Sequence, residues 1–94
     1  MKNLIITYDI VNNKKRRRIA KILDDYGDRV QKSVFELPGL DDIIWEKCLK
    51  RLKKVKLEED ESIRIYDICE RCRKNVLILG DAEAAFDEPD VYIV

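Results

Sequence analysis

Tyr8-Asp9 stands just ahead of Lys14, Lys15, Arg16, Arg17 and Arg18. A carboxylate beside five cations either forms a salt bridge or ligates a hard metal ion. Mg2+ or Mn2+ takes oxygen ligands and keeps several waters, so one or two carboxylates suffice where phosphate supplies the rest. Such an ion lowers the pKa of a bound water and bridges phosphate oxygens. One aspartate per chain is a thin ligand set. A twofold dimer that brings two copies of Asp9 together makes a fuller one.

Two other stretches carry chemistry-bearing residues. Tyr66-Asp67 repeats the Tyr-Asp-Ile phrase, but Cys69-Glu70-Arg71-Cys72 follows it rather than a basic run, so it reads as a strand end. The two cysteines form one CxxC with no histidine anywhere in the chain, which cannot complete a tetrahedral zinc site within one subunit. Four thiolates from a dimer could complete one. The absence of histidine also removes the commonest general base and excludes Ser-His-Asp chemistry. Hydrolysis here needs carboxylates, a hard metal ion, or Arg, Lys and Tyr.

The elements that position these residues follow from periodicity. Residues 4–8 are a short β-rich run, apolar on both faces, as in a central strand. Asn12 or Asn13 can cap a helix over 13–26, with Ile19, Ile22, Leu23 and Tyr26 on one stripe and Gly27 as its stop. Residues 29–37 are extended with a phase slip at Lys32-Ser33, which predicts a bent strand or two strands at a tight turn. Pro38-Gly39 punctuates the chain. A second helix is expected over 40–55, with Ile44, Cys48, Leu49, Leu52 and Val55 facing the core. Residues 58–61 read as a solvated acidic loop, 62–68 as a strand, 69–74 as a turn and 75–79 as a strand. The order predicts an α+β fold, a ferredoxin-like two-layer sandwich (βαββαβ plus a C-terminal strand). Residues 1–80 would form that domain. Residues 81–94 would be an acidic connector and a terminal strand that pairs with an exposed edge on a second subunit.

Charge is distributed unevenly along the chain. The 94 residues carry 19 basic and 19 acidic side chains, yet residues 1–56 hold 15 of the basic ones and 8 of the acidic ones. A basic front half suits a polyanion, although solvated faces would give the same count. The second helix obeys its dipole, with Asp41 and Asp42 at the start and Lys53, Lys54 and Lys56 at the end. The first helix inverts the rule, with five cations at its start and Asp24 and Asp25 near its end. Cations and free backbone N–H groups at one helix start make an anion site, and phosphate is the natural candidate. The apolar run at the N-terminus is too short for a secretion signal or a membrane span, so a cytoplasmic protein with reduced thiols is expected.

In order along the chain, YDIVNNKKRRRIAKIL, YGDRVQKSVFEL and DESIRIYDICERC resemble the small CRISPR-associated adaptation endonuclease family, Cas two. The resemblance covers nearly the whole chain. It implies a ferredoxin-like subunit, a symmetric homodimer and a C-terminal strand packed on the partner subunit. It implies a divalent-metal ligand at Asp9 from each subunit, a catalytic role for the neighbouring Tyr8, and nucleic-acid contacts from Arg16, Arg18, Arg29 and Phe35, to which the basic run adds Arg17. The implied activity is metal-dependent phosphodiester cleavage of single-stranded RNA or double-stranded DNA, in partnership with the CRISPR integrase. A non-catalytic dimeric scaffold for that integrase is the alternative.

Overall fold

The computed structural model describes residues 1–73, 75 and 77–79. Its elements are β1 (Lys2–Asp9), α1 (Asn13–Asp24), β2 (Asp28–Gln31), β3 (Val34–Leu40), α2 (Asp42–Lys53), β4 (Ser62–Ile68) and a one-turn helix α3 (Glu70–Arg73). The strands form one antiparallel sheet in the order β2-β3-β1-β4. This is the expected βαββαβ sandwich. The expected connector and terminal strand over 81–94 lie outside the described residues. The expected strand over 75–79 lies partly outside them, and of its described residues only Ile78 makes a bridge. Among the described residues, no helix is long and apolar enough to cross a membrane.

β1 occupies the centre because its alternate side chains are all apolar. Leu4, Ile6 and Tyr8 point into one core with Ile19, Ile22 and Leu23 of α1 and with Cys48 and Leu52 of α2. The phase slip at Lys32-Ser33 is the tight turn between β2 and β3. α1 is capped by Asn12, whose side chain accepts from the Lys15 N–H at 2.9 Å, and α2 by Asp41, which accepts from the Ile43 N–H at 2.7 Å.

Three expectations need correction. Pro38-Gly39 does not end β3, which continues to Leu40. Gly39 takes φ 62° and its N–H donates to the buried Asn3 side chain at 2.9 Å, so the strand kinks and its register with β1 shifts. On α2, Trp45 enters the core while Ile44 stays 38% exposed. Both positions suit the stripe of Cys48 and Leu52, and the larger ring buries more apolar area. Finally, the acidic loop is not wholly solvated, since Glu61 is buried.

Candidate functional site

Asp9 is the last residue of β1, paired across the sheet with Ser62 at the start of β4. Its side chain is exposed beside a cleft of about 130 Å3 lined by Tyr8, Asp9, Ile10, Arg16, Lys32 and Ser33. Two elements therefore bring cations to the carboxylate. α1 delivers Arg16, whose guanidinium donates to the Asn13 side chain one turn back. The β2–β3 turn delivers Lys32, fixed by the Tyr8 N–H donating to the Ser33 carbonyl at 3.1 Å.

Behind the cleft, a bracing network holds that turn. The Tyr8 hydroxyl donates to the Lys32 carbonyl at 3.2 Å. Arg29 donates to the same carbonyl through Nε at 3.1 Å and Nη2 at 2.6 Å. Its guanidinium lies 5.7 Å from the centre of the Phe35 ring, which stacks on Tyr8 with centroids 6.3 Å apart. Phe35 is 0% exposed. Within the subunit it cannot offer a face to a base, so the expected direct contact is replaced by support for Arg29 and Tyr8. Tyr8 is likewise buried, and its phenol is engaged by backbone. Its place is that of a brace beneath Asp9.

The basic run at the start of α1 divides into three directions. Arg16 and Arg17 line a second depression with Arg29 and Lys32, continuous in composition with the cleft. Arg18 lies on the other flank, in a basic groove with Lys21, Arg51 and Lys54 between the two helices. Arg18 thus does not join Asp9, because a helix turns about 100° per residue and carries it toward α2. Lys15 turns away altogether, pairing with the Glu61 carboxylate and donating to the Lys56 carbonyl at 3.0 Å.

Glu61 corrects the anion-site expectation. Its carboxylate accepts from the Val11 N–H at 3.1 Å and the Asn12 N–H at 3.3 Å, directly ahead of α1. It also accepts from the Glu58 N–H at 3.0 Å. The negative charge that the α1 dipole calls for is supplied from the α2–β4 loop rather than by phosphate. The Lys15 ammonium, followed by these N–H groups, holds the Glu61 carboxyl well below the usual carboxylate range, at about 2. Neither Glu61 nor Lys32 stands out in the sequence. One is the last of four acidic residues and the other sits in a turn whose partners are distant.

Among the described residues no three His, Cys, Asp or Glu side chains gather as a metal cage. An exposed, hard oxygen donor at an open cleft nonetheless fits Mg2+, which accepts few protein ligands when water and phosphate complete its shell. Asp67, the second Tyr-Asp position, pairs with Lys2 at 3.3 Å on the edge strand, as a strand-end role requires. Cys69 and Cys72 are both exposed, and the Cys72 N–H donates to the Cys69 sulfur at 3.4 Å.

The family model described as CRISPR associated protein Cas2 matches residues 1–76. The chain belongs to the Cas2 family. It is 37% identical over 91 residues to a CRISPR-associated endoribonuclease Cas2 of Chloroflexus aurantiacus, covering 96% of this chain and 97% of that one. Among solved structures, Streptococcus pyogenes Cas2 superposes with a TM-score of 0.68 at 32% identity, covering 79% of this chain and 94% of that one. A chain of a partial Cas6-RT-Cas1–Cas2 complex matches with a TM-score of 0.59 at 30% identity, over 81% of this chain and 88% of that one. These Cas2 relatives share the ferredoxin-like sandwich described above.

Proposed function

We propose that this Cas2 is a nuclease of CRISPR adaptation that cleaves phosphodiester bonds in single-stranded RNA or double-stranded DNA. The observation that carries the reading is the cleft itself, where an exposed Asp9 carboxylate faces Arg16 and Lys32. The endoribonuclease relatives point the same way. Two copies of Asp9, one from each subunit of a symmetric homodimer, would hold Mg2+ or Mn2+ between them. When bound, the cation supplies a Lewis acid and a water of lowered pKa. Arg16 and Lys32 take the phosphate oxygens from either side, with charge-assisted hydrogen bonds that fix the scissile group over Asp9. Arg17 and Arg18 hold flanking phosphates. Tyr8, Arg29 and Phe35 keep the Lys32 turn rigid, so the cations need little reorganisation during reaction.

The sheet face opposite the helices supports dimerisation. It presents the half-buried Ile5 and Val34 and the exposed Tyr66 without a covering layer among the described residues. A Cas1–Cas2 complex among the structural neighbours supports docking of an integrase by the same dimer.

The test is a metal-dependence assay of the parent and Asp9→Ala on defined RNA and duplex DNA, with binding measured on the same samples. Metal-dependent cleavage by the parent, lost in Asp9→Ala with nucleic-acid affinity retained, is expected. Equal cleavage by both proteins would move the site elsewhere. Tight binding without any cleavage by the parent would make the protein a scaffold.

A further inference from the structure

Glu61 is the one carboxylate of the acidic loop that the fold buries, and it sits next to the cleft without lining it. Its neighbour Ser62 is the residue paired with Asp9 across β1 and β4. From Asp9 the chain runs through the buried Ile10 to Val11 and Asn12, whose N–H groups both end on Glu61 Oε2 at 3.1 and 3.3 Å. The other oxygen, Oε1, takes the Glu58 N–H at 3.0 Å and the Lys15 ammonium. Lys15 in turn reaches the Lys56 carbonyl at 3.0 Å. One carboxylate therefore ties three pieces of chain, which are the loop that leaves Asp9, the first turn of α1, and the α2–β4 loop.

The two groups that the proposed reaction must place lie on opposite sides of this tie. Asp9 is two residues before Val11, and Arg16 directly follows Lys15. Nothing else among the described residues accepts from the Val11 N–H, and the carboxylate that takes both donors is only 2% exposed. Without the shared acceptor, these hydrogen bonds no longer hold the loop that follows Asp9 to Glu61 and the α2–β4 loop.

We infer that Glu61, with Lys15, is a positioning residue for the Asp9–Arg16 cleft, acting through the backbone that joins them and not by touching substrate. The inference rests on the nuclease reading above. It predicts a specific division of effects. Misplacing reacting groups by about 1 Å costs on the order of 100-fold in rate. Binding, shared among Arg16, Arg17, Arg18 and Lys32, changes little.

The experiment compares the parent with Glu61→Gln, Glu61→Asp and Cys48→Ala as full-length protein. Three readouts are taken: kcat per folded molecule, affinity for a single-stranded RNA, and hydrogen exchange of the Val11 and Asn12 amides. Glu61→Gln keeps the shape but replaces an acceptor by a donor. It is expected to lower kcat at least tenfold, to leave RNA affinity within about twofold, and to expose the two amides. Glu61→Asp should recover part of the kcat. Cys48→Ala opens a cavity in the core at a residue that does not line the cleft and controls for destabilisation, so it should keep the parental kcat per folded molecule. Parental kcat in Glu61→Gln, or equal losses in Glu61→Gln and Cys48→Ala, overturns the inference and leaves the nuclease reading standing. A parent that cleaves nothing with any divalent metal overturns both.

Discussion

Phe35 separates the buried-brace account from the direct nucleic-acid contact that the family resemblance implies. It is 0% exposed, stacked on Tyr8 and lying beneath Arg29. Phe35→Ala would cost about 3–5 kcal/mol as a core truncation. A 94-residue domain has roughly 5–14 kcal/mol in total at typical values per residue. That variant approaches unfolding and cannot report on binding. Phe35→Leu is the useful perturbation. It loses about 1 kcal/mol of packing, the usual difference between Phe→Ala and Leu→Ala costs. The aromatic pair with Tyr8 adds about 0.5–1.5 kcal/mol, and the cation–π contact with Arg29 about 0.5–1 kcal/mol. The sum, about 2–3.5 kcal/mol, corresponds to a fall in Tm of roughly 8–28 °C, at about 4–8 °C per kcal/mol for a domain of this size. Base stacking on an exposed aromatic would instead be worth about 1–3 kcal/mol of binding, or roughly 5–150-fold in affinity. Thermal unfolding and fluorescence polarisation with a labelled RNA, read on the same preparation, decide between them. A lowered Tm with RNA affinity within about twofold is expected. Unchanged Tm with affinity weakened more than about fivefold would refute the assignment of Phe35 to the interior.

Three further outcomes follow from the same geometry. Replacing Arg16, Arg17 and Arg18 together by Ala should weaken single-strand binding and reduce the slope of log K against log salt by roughly 2, at about 0.7 per phosphate contact; an unchanged slope in a salt titration would take phosphate recognition away from α1. The Glu61 carboxyl ionises more easily folded, at about 2, than at its ordinary value of 4.5, so the unfolded chain takes up the proton first and stability falls as pH drops through that window. Urea midpoints measured down the acid limb should therefore fall for the parent, and the Glu61 contribution to that fall should vanish in Glu61→Gln. Gly27→Ala should destabilise despite a gain of about 0.4–1 kcal/mol from a stiffer unfolded chain, because the new Cβ would lie 2.2 Å from the Glu36 carbonyl oxygen; a raised Tm would show that β3 yields there.

Much of the fold is legible in the sequence because its signals are local. The apolar alternation of residues 62–68, the Asn12 cap and the slip at Lys32-Ser33 each mark a real element or turn. Tyr8, Asp9, Arg16 and Arg29 do gather at one end of β1 and its neighbours, as their order along the chain suggests. What stays hidden is set by long-range partners. Pro38-Gly39 has the composition of a break, but Asn3 on a neighbouring strand accepts the Gly39 N–H and turns the break into a kink. Five consecutive cations look equivalent until the helix turns Arg18 toward Lys54 and Lys15 toward Glu61. Glu61 itself is indistinguishable from three acidic neighbours until residues 46 and more positions away come to donate to it.

In the proposed site, two copies of Asp9 act together across a twofold axis. Mixed dimers test that sharing. Parent and Asp9→Ala subunits are exchanged at equal amounts to full randomisation, and metal-dependent cleavage is measured against the parent at the same total concentration. If both carboxylates are required, activity falls to about a quarter, since only that fraction of dimers carries two parental subunits. If each Asp9 works alone, activity settles at about half, and the shared site is contradicted.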